Sequence, residues 1–131
     1  MTLVDTSVWI DWDRGIVNPQ TQWLRENLTQ TEIGLTDLVL CELLQGCRDE
    51  RHAQQLEAAL GSFRVVATGG AGLARLAARL YRGLRRTGWT VVSTVDCCNA
   101  AFCLERGHML LHRDRDFDAF EQRFGLRVVH P

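Results

Sequence analysis

Four acidic residues stand at wide intervals where apolar stretches give way to turns or helix starts. Asp5 follows Thr2-Leu3-Val4, Glu42 and Asp96 lie early in helical patterns, and Asp114 follows Met109-Leu110-Leu111-His112-Arg113. Acids placed for solubility have no reason to sit at such junctions. In an open parallel α/β sheet the carboxyl ends of strands and the adjacent helix starts converge on one crevice. Carboxylates crowded there repel one another and resist joint ionisation unless a cation neutralises them. Oxygen donors of this kind suit a hard divalent ion, Mg²⁺ or Mn²⁺, which keeps several of its waters. Four acids in one crevice serve either one ion and its water shell, or two ions that clamp the attacking and leaving oxygens of a phosphodiester. The reaction class this points to is hydrolytic phosphoryl transfer.

The elements that must position these acids follow from periodicity and capping signals. A short buried strand at Thr2–Val4 leads into a helix over Thr6–Asp13, and Asn18-Pro19 supplies an N-cap and first position for a helix to about Leu28. Ile33–Leu35 reads as a second strand, after which Thr36 or Asp37 caps a helix through Gln45. Asp49 starts a helix to about Leu60, and Phe63–Ala67 is a third, β-branched strand. Over Ala71–Arg86, Leu73, Leu76, Ala77, Leu80 and Leu84 share one helical face, with Arg75, Arg79, Arg82 and Arg86 on the opposite one. Ser93 or Thr94 caps a helix to Arg106 that Gly107 closes; Met109–His112, Phe117–Phe124 and Leu126–Val129 read as strand, helix and fifth strand. Strands and helices alternate throughout, so the expectation is one α/β domain over residues 1–131 with a central parallel sheet of about five strands.

Bulk properties narrow the function. A formal charge of −1 gives no global signature of nucleic-acid binding, so any such surface must be local. All 15 basic residues are Arg, which excludes chemistry that needs a lysine of this chain, such as P-loop phosphate binding or a Schiff base. Asp5 and Asp11 interrupt any signal-peptide pattern and no apolar run reaches membrane-span length, so the expectation is a cytoplasmic chain with reduced cysteines and no membrane partner. His108 and His112 would lie about 13 Å apart on a strand, too far to chelate one zinc. No His is placed to activate Cys41 or Cys97, the thiols beside two of the acids.

Val4-Asp5-Thr6-Ser7-Val8-Trp9-Ile10 resembles the opening motif of the PIN-domain nucleases, and in particular of the VapC toxins of type II toxin–antitoxin modules. Cys41-Glu42-Leu43-Leu44-Gln45-Gly46 is similar to their second acidic motif, Asp96 with Ala100-Ala101 to the third, and His112-Arg113-Asp114-Arg115-Asp116-Phe117 to the fourth. The resemblance covers the whole chain, in order. It implies a three-layer α/β/α PIN-like fold with strand order 3-2-1-4-5. It also implies Mg²⁺- or Mn²⁺-dependent endoribonuclease activity, with one or two ions, on structured RNA such as tRNA or ribosomal RNA. A cognate VapB-type antitoxin would inhibit it, with the toxin as a homodimer. Asp5, Glu42, Asp96 and Asp114 take the catalytic and metal-site roles, with Asp116 as a further ligand or water holder. Ser7, ahead of Thr6, would contact a metal-bound water. Asn99 departs from the pattern, where apolar residues are usual; it lies one turn beyond Asp96, to reach metal or substrate or to bond a neighbouring helix.

Other readings stay open at this stage. Singly, Asp5 and Asp116 are ordinary helix caps and Asp114 an ordinary turn residue. The arginine stripe is either a solvated face or a track for RNA phosphates, and Arg113 and Arg115 either touch phosphates or balance the acids. Trp9, Trp12, Trp23 and Trp89 read as core or interface residues. A DNA-directed nuclease of the same fold would use the same acids, and a non-catalytic RNA-binding module would keep the arginines alone.

Overall fold

The computed structural model describes residues 1–89 and 92–131. Thr2–Val4 (β1), Ile33–Thr36 (β2), Arg64–Val66 (β3) and Met109–Leu111 (β4) form a parallel sheet in the order β3-β2-β1-β4. Leu3 of β1 lies level with Gly34 on one side and Leu110 on the other. Thr6–Asp13 (α1), Pro19–Asn27 (α2), Asp37–Gln45 (α3), Glu50–Leu60 (α4), Ala71–Arg86 (α5), Thr94–Arg106 (α6) and Asp118–Phe124 (α7) cover its two faces.

Strand alternation sorts the core into two layers. Leu3 and Leu110 point into one, filled by Leu73, Ala77, Leu80 and Leu84 of α5, Ala100, Ala101 and Phe102 of α6, and Phe120 of α7. Val4, Leu35 and Leu111 point into the other, built around Trp9 of α1, Val39 and Leu43 of α3, and Leu56 and Leu60 of α4. Trp9 is fully buried; its indole N–H donates to the Val4 carbonyl at 3.0 Å, and its ring meets Trp12 and Phe63 edge-on. Of the four tryptophans Trp9 is therefore core, Trp12 and Trp23 pack partly buried against it, and Trp89 is exposed. On the other face Gly83 lets α7 approach α5, because a Cβ there would sit 3.2 Å from the Phe124 ring.

Caps fix the helix starts at the site end of the sheet. Asp5 caps α1, Thr36 caps α3 and Ser93 caps α6, each accepting a backbone N–H from the first turn. Gly107, at φ 71°, ends α6 in the left-handed conformation. Two elements differ from the expectation. Residues Arg115–Phe117 form a 3-10 turn before α7, with Asp114 rather than Asp116 accepting the capping N–H. The fifth strand is reduced to a single bridge between Leu110 and Val128. In a three-residue strand Met109 and Leu111 face β1, leaving only Leu110 to bond outward, from its N–H to the Arg127 carbonyl and from its carbonyl to the Val129 N–H. The His108 N–H, which would extend that ladder, is spent on the Cys103 carbonyl at the end of α6.

Candidate active site

Each acid is brought to the carboxyl end of the sheet by a separate element. Asp5 ends β1, where its N–H donates to the Leu111 carbonyl, and begins α1. Its Oδ2 accepts from the Ser7 N–H at 3.0 Å and the Ser7 hydroxyl at 2.6 Å. Glu42, on α3, accepts from the Thr6 hydroxyl at 2.7 Å. Asp96 sits in the first turn of α6, its N–H on the Ser93 hydroxyl. Asp114 follows β4; its N–H donates to His112 Nδ1 at 3.1 Å, and its Oδ1 accepts from the Asp116 N–H at 2.9 Å.

Asp96, Asp114 and Asp116 each offer a carboxylate oxygen within 4.8 Å of the others. Two full charges at that spacing repel by about 3–4 kcal/mol at an effective dielectric near 20. Asp5 and Glu42 complete a second ring, close enough to push on Asp96 electrostatically. Burial, then the charge of Asp5, raises the Asp96 carboxyl to about 7. Burial also raises Asp5, against the pull of its two bonds from Ser7, and Glu42 and Asp114 push it further. Asp116 is raised by partial burial and by Asp114. Among the described residues no guanidinium pairs with any of the five. The donors are all oxygens and the ionised cluster lacks a counter-charge, which is the fit a hard divalent cation requires.

The remaining residues singled out by sequence divide sharply. The hydroxyls of Ser7 and Thr6 are donated to Asp5 and Glu42, and Ser7 Oγ also accepts the Arg113 N–H at 3.1 Å. Their place in the structure is to orient carboxylates and tie α1 to the loop after β4. Asn99 is buried to 1% exposure; its Oδ1 accepts from the Thr36 hydroxyl at 2.6 Å, and its Nδ2 has no partner. Because the Thr36 hydroxyl also accepts the Val39 N–H, Asn99 joins α6 to the start of α3, the helices bearing Asp96 and Glu42. Arg113 turns from the cluster and donates Nε to Asp11 at 2.8 Å, while Arg115 is exposed. Arg75, Arg79, Arg82 and Arg86 lie on the outer face of α5, outside the cluster. Burial pushes the Cys97 thiol up to about 11 and Cys103 to about 12, so neither is a nucleophile near neutral pH.

Two residues at the site escape a sequence reading. Asp11 is buried and holds both Arg113 and the Asn18 amide, at 2.8 and 2.9 Å. Its one sequence signal is its place three residues after the buried Val8, on the inward side of α1. His112 is buried, and burial lowers its pKa, so the ring is neutral near pH 7. Accepting the Asp114 N–H at Nδ1 leaves the proton on Nε2, which has no partner.

The sequence profile of the PIN domain matches residues 2–122. Ribonuclease VapC11 of Mycobacterium tuberculosis is 32% identical over 131 residues, covering 98% of each chain. Among solved structures, VapBC2 from Rickettsia felis bound to a promoter DNA fragment superposes with a TM-score of 0.79 at 14% identity, covering 98% of this chain and 96% of that one. DNA-bound VapBC from Salmonella typhimurium superposes with a TM-score of 0.76 at 20% identity over the same shares. The profile match and the full-length relative agree with the four-acid pattern and the parallel sheet that gathers it: this chain belongs to the PIN domain family, among its VapC-type members.

Proposed function

We propose that this chain is a metal-dependent endoribonuclease toxin that hydrolyses phosphodiester bonds in structured RNA, tRNA or ribosomal RNA, and is neutralised by a cognate VapB-type antitoxin. The observation that carries the reading is the set of mutually repelling carboxylates at the sheet's carboxyl end, Asp5 buried and the others half-buried, without a counter-cation among the described residues. A full-length relative named as a ribonuclease and fold neighbours solved as VapBC complexes support it.

In this reading Asp96, Asp114 and Asp116 would hold Mg²⁺ or Mn²⁺, with Asp5 and Glu42 beside them as further oxygen donors. The bound cation would neutralise charge on the scissile phosphate and acidify an attacking water. The chain's own contribution is orientation. Ser7 fixes one oxygen of Asp5 and leaves Oδ1 without a protein partner among the described residues. Thr6 fixes Glu42 across the α1–α3 contact. His112 holds the backbone at Asp114, and Asp116 in turn fixes one Asp114 oxygen through its N–H.

Incubating the purified chain with total cellular RNA, with and without Mg²⁺ or Mn²⁺, tests this. Discrete cleavage products are expected with metal, none in EDTA, and restoration when metal is returned. Undiminished cleavage in EDTA contradicts the metal mechanism, and intact RNA under every metal condition contradicts the nuclease reading.

A further inference from the structure

Helix α5 carries Arg75, Arg79, Arg82, Arg85 and Arg86 and no acid. The nearest carboxylates along the chain are Glu57 before it and Asp96 after it, although the chain as a whole is slightly acidic at −1. All five arginines are exposed, and among the described residues none pairs with a carboxylate. A solvated face selected for helix stability would mix signs, as α4 does with Glu50, Arg51 and Glu57. Here like charges stand four apart, Arg75 with Arg79 and Arg82 with Arg86, which disfavours the helix. The helix dipole favours cations in the last turn only, so it does not explain Arg75 or Arg79.

Aromatic rings are set among these cations. Tyr81 is 38% exposed, with the Arg85 guanidinium 5.9 Å from its ring centroid, and Trp89, also 38% exposed, follows the helix end. Exposed flat rings between arginines offer stacking faces for bases beside donors for phosphates.

Position then separates the two ends of the stripe. The Trp89 N–H bonds back to the Leu84 carbonyl, so Trp89 lies at the C-terminal end of α5. From there to Thr94, the first residue of α6, the chain reaches at most about 18 Å. Thr94 opens the helix that carries Asp96, so the C-terminal end of α5 is tied within that reach to the first turn of α6, and Arg75 lies about 16 Å back along α5 from Arg86. A crevice of carboxylates repels a polyanion, so a basic surface at its rim is what an RNA strand needs in order to approach.

We propose that the C-terminal half of α5, with Arg82, Arg85, Arg86, Tyr81 and Trp89, is an RNA-docking surface that holds the substrate strand beside the acidic cluster. This rests on the nuclease reading above. The rival occupant of the same face is a protein, including a second copy of this chain. The test compares two double substitutions in the full chain, each removing two positive charges: Arg82→Gln with Arg86→Gln, and Arg75→Gln with Arg79→Gln. Binding of bulk tRNA is measured in EDTA over a salt series, and cleavage is measured with Mn²⁺. The first pair is expected to weaken binding roughly tenfold at low salt, flatten the logarithmic salt slope by about one to two, and raise KM with kcat held. The second pair is expected to change binding less than threefold. Equal behaviour of both pairs and the unaltered chain, with cleavage intact, overturns the docking surface and leaves the nuclease standing. A changed sedimentation coefficient with unchanged tRNA affinity assigns the face to a protein partner and overturns it too. Neither binding nor cleavage of RNA by the unaltered chain removes the nuclease reading and this surface together.

Discussion

Asp5 and Asp11 begin and nearly end the same helix, and each is only 4% exposed. Their surroundings are opposite. Asp11 meets a guanidinium and an amide, the complement a buried carboxylate ordinarily needs. Asp5 meets the Ser7 hydroxyl and then other carboxylates, and burial and those neighbours raise its pKa. Six residues apart, one acid is paired within the chain and the other is left among like charges. The contrast shows that the crowding at Asp5 is not a general tolerance of this fold for buried charge. The chain pairs a buried acid where position alone is at stake and leaves it unpaired where the chemistry is proposed.

The strongest way to break this contrast is to neutralise each side. Asp5→Asn keeps a side chain that caps α1 but removes a charge from the cluster. RNA cleavage is expected to fall by about a thousandfold or more, while the melting temperature stays level or rises. Loss of stability with cleavage retained would reverse the assignment. Asp11→Ala should do the opposite, because it strands Arg113 and Asn18. Stability is expected to drop by about 1–3 kcal/mol, discounted for a guanidinium side chain that is 55% exposed. Cleavage should fall only severalfold, through looser placement of the loop bearing Asp114; urea titration and initial rates read the two effects.

A smaller effect concerns pH. Asp96 is held near 7 and Asp5 is raised above its ordinary value, so in metal-free protein both titrate later than in the unfolded chain. The stabilising contribution is complete below the unfolded carboxyl range near 4 and is lost as pH rises through 7. The melting temperature in EDTA should therefore decline between pH 4.5 and 8, by roughly 5 °C from these groups, and Asp96→Asn should flatten the decline. Smallest is the effect of His112, which acts through Asp114. His112→Leu is expected to lower cleavage about tenfold by loosening the Asp114 backbone, without destabilising the fold, since it also removes an unpaired buried nitrogen. His112→Asn, which offers an acceptor in place of Nδ1, should recover most of that loss. A purely structural His112 would lose stability in step with activity.

Much of this arrangement is legible from local sequence. An apolar run that ends in an acid and a cap marks Asp5 and Asp114. Helix periodicity places Glu42 and Asp96, and the leucine and arginine faces of α5 follow from the same 100° step. What is not legible depends on contacts between distant segments. Arg113 and Asp11 meet across the fold, and the Thr36–Asn99 bond spans 63 residues; neither leaves a local trace. The fifth strand fails for a related reason. Leu126–Val129 has strand character, but its pairing is limited by how few residues β4 turns outward, which is a property of another segment. Asp116 reads as a cap by itself, and only the 3-10 turn after Asp114 brings its carboxylate within reach of Asp96.

The central claim is that the repulsion at Asp5, Asp96, Asp114 and Asp116 is relieved by a divalent cation. Its most direct test is a thermal melt of the metal-free chain at pH 8 titrated with Mn²⁺, run beside the Asp96→Asn variant. A saturable rise of several degrees in the unaltered chain, absent or strongly right-shifted in the variant, is the result predicted. A melting temperature that ignores Mn²⁺, or rises equally in both proteins, would contradict it.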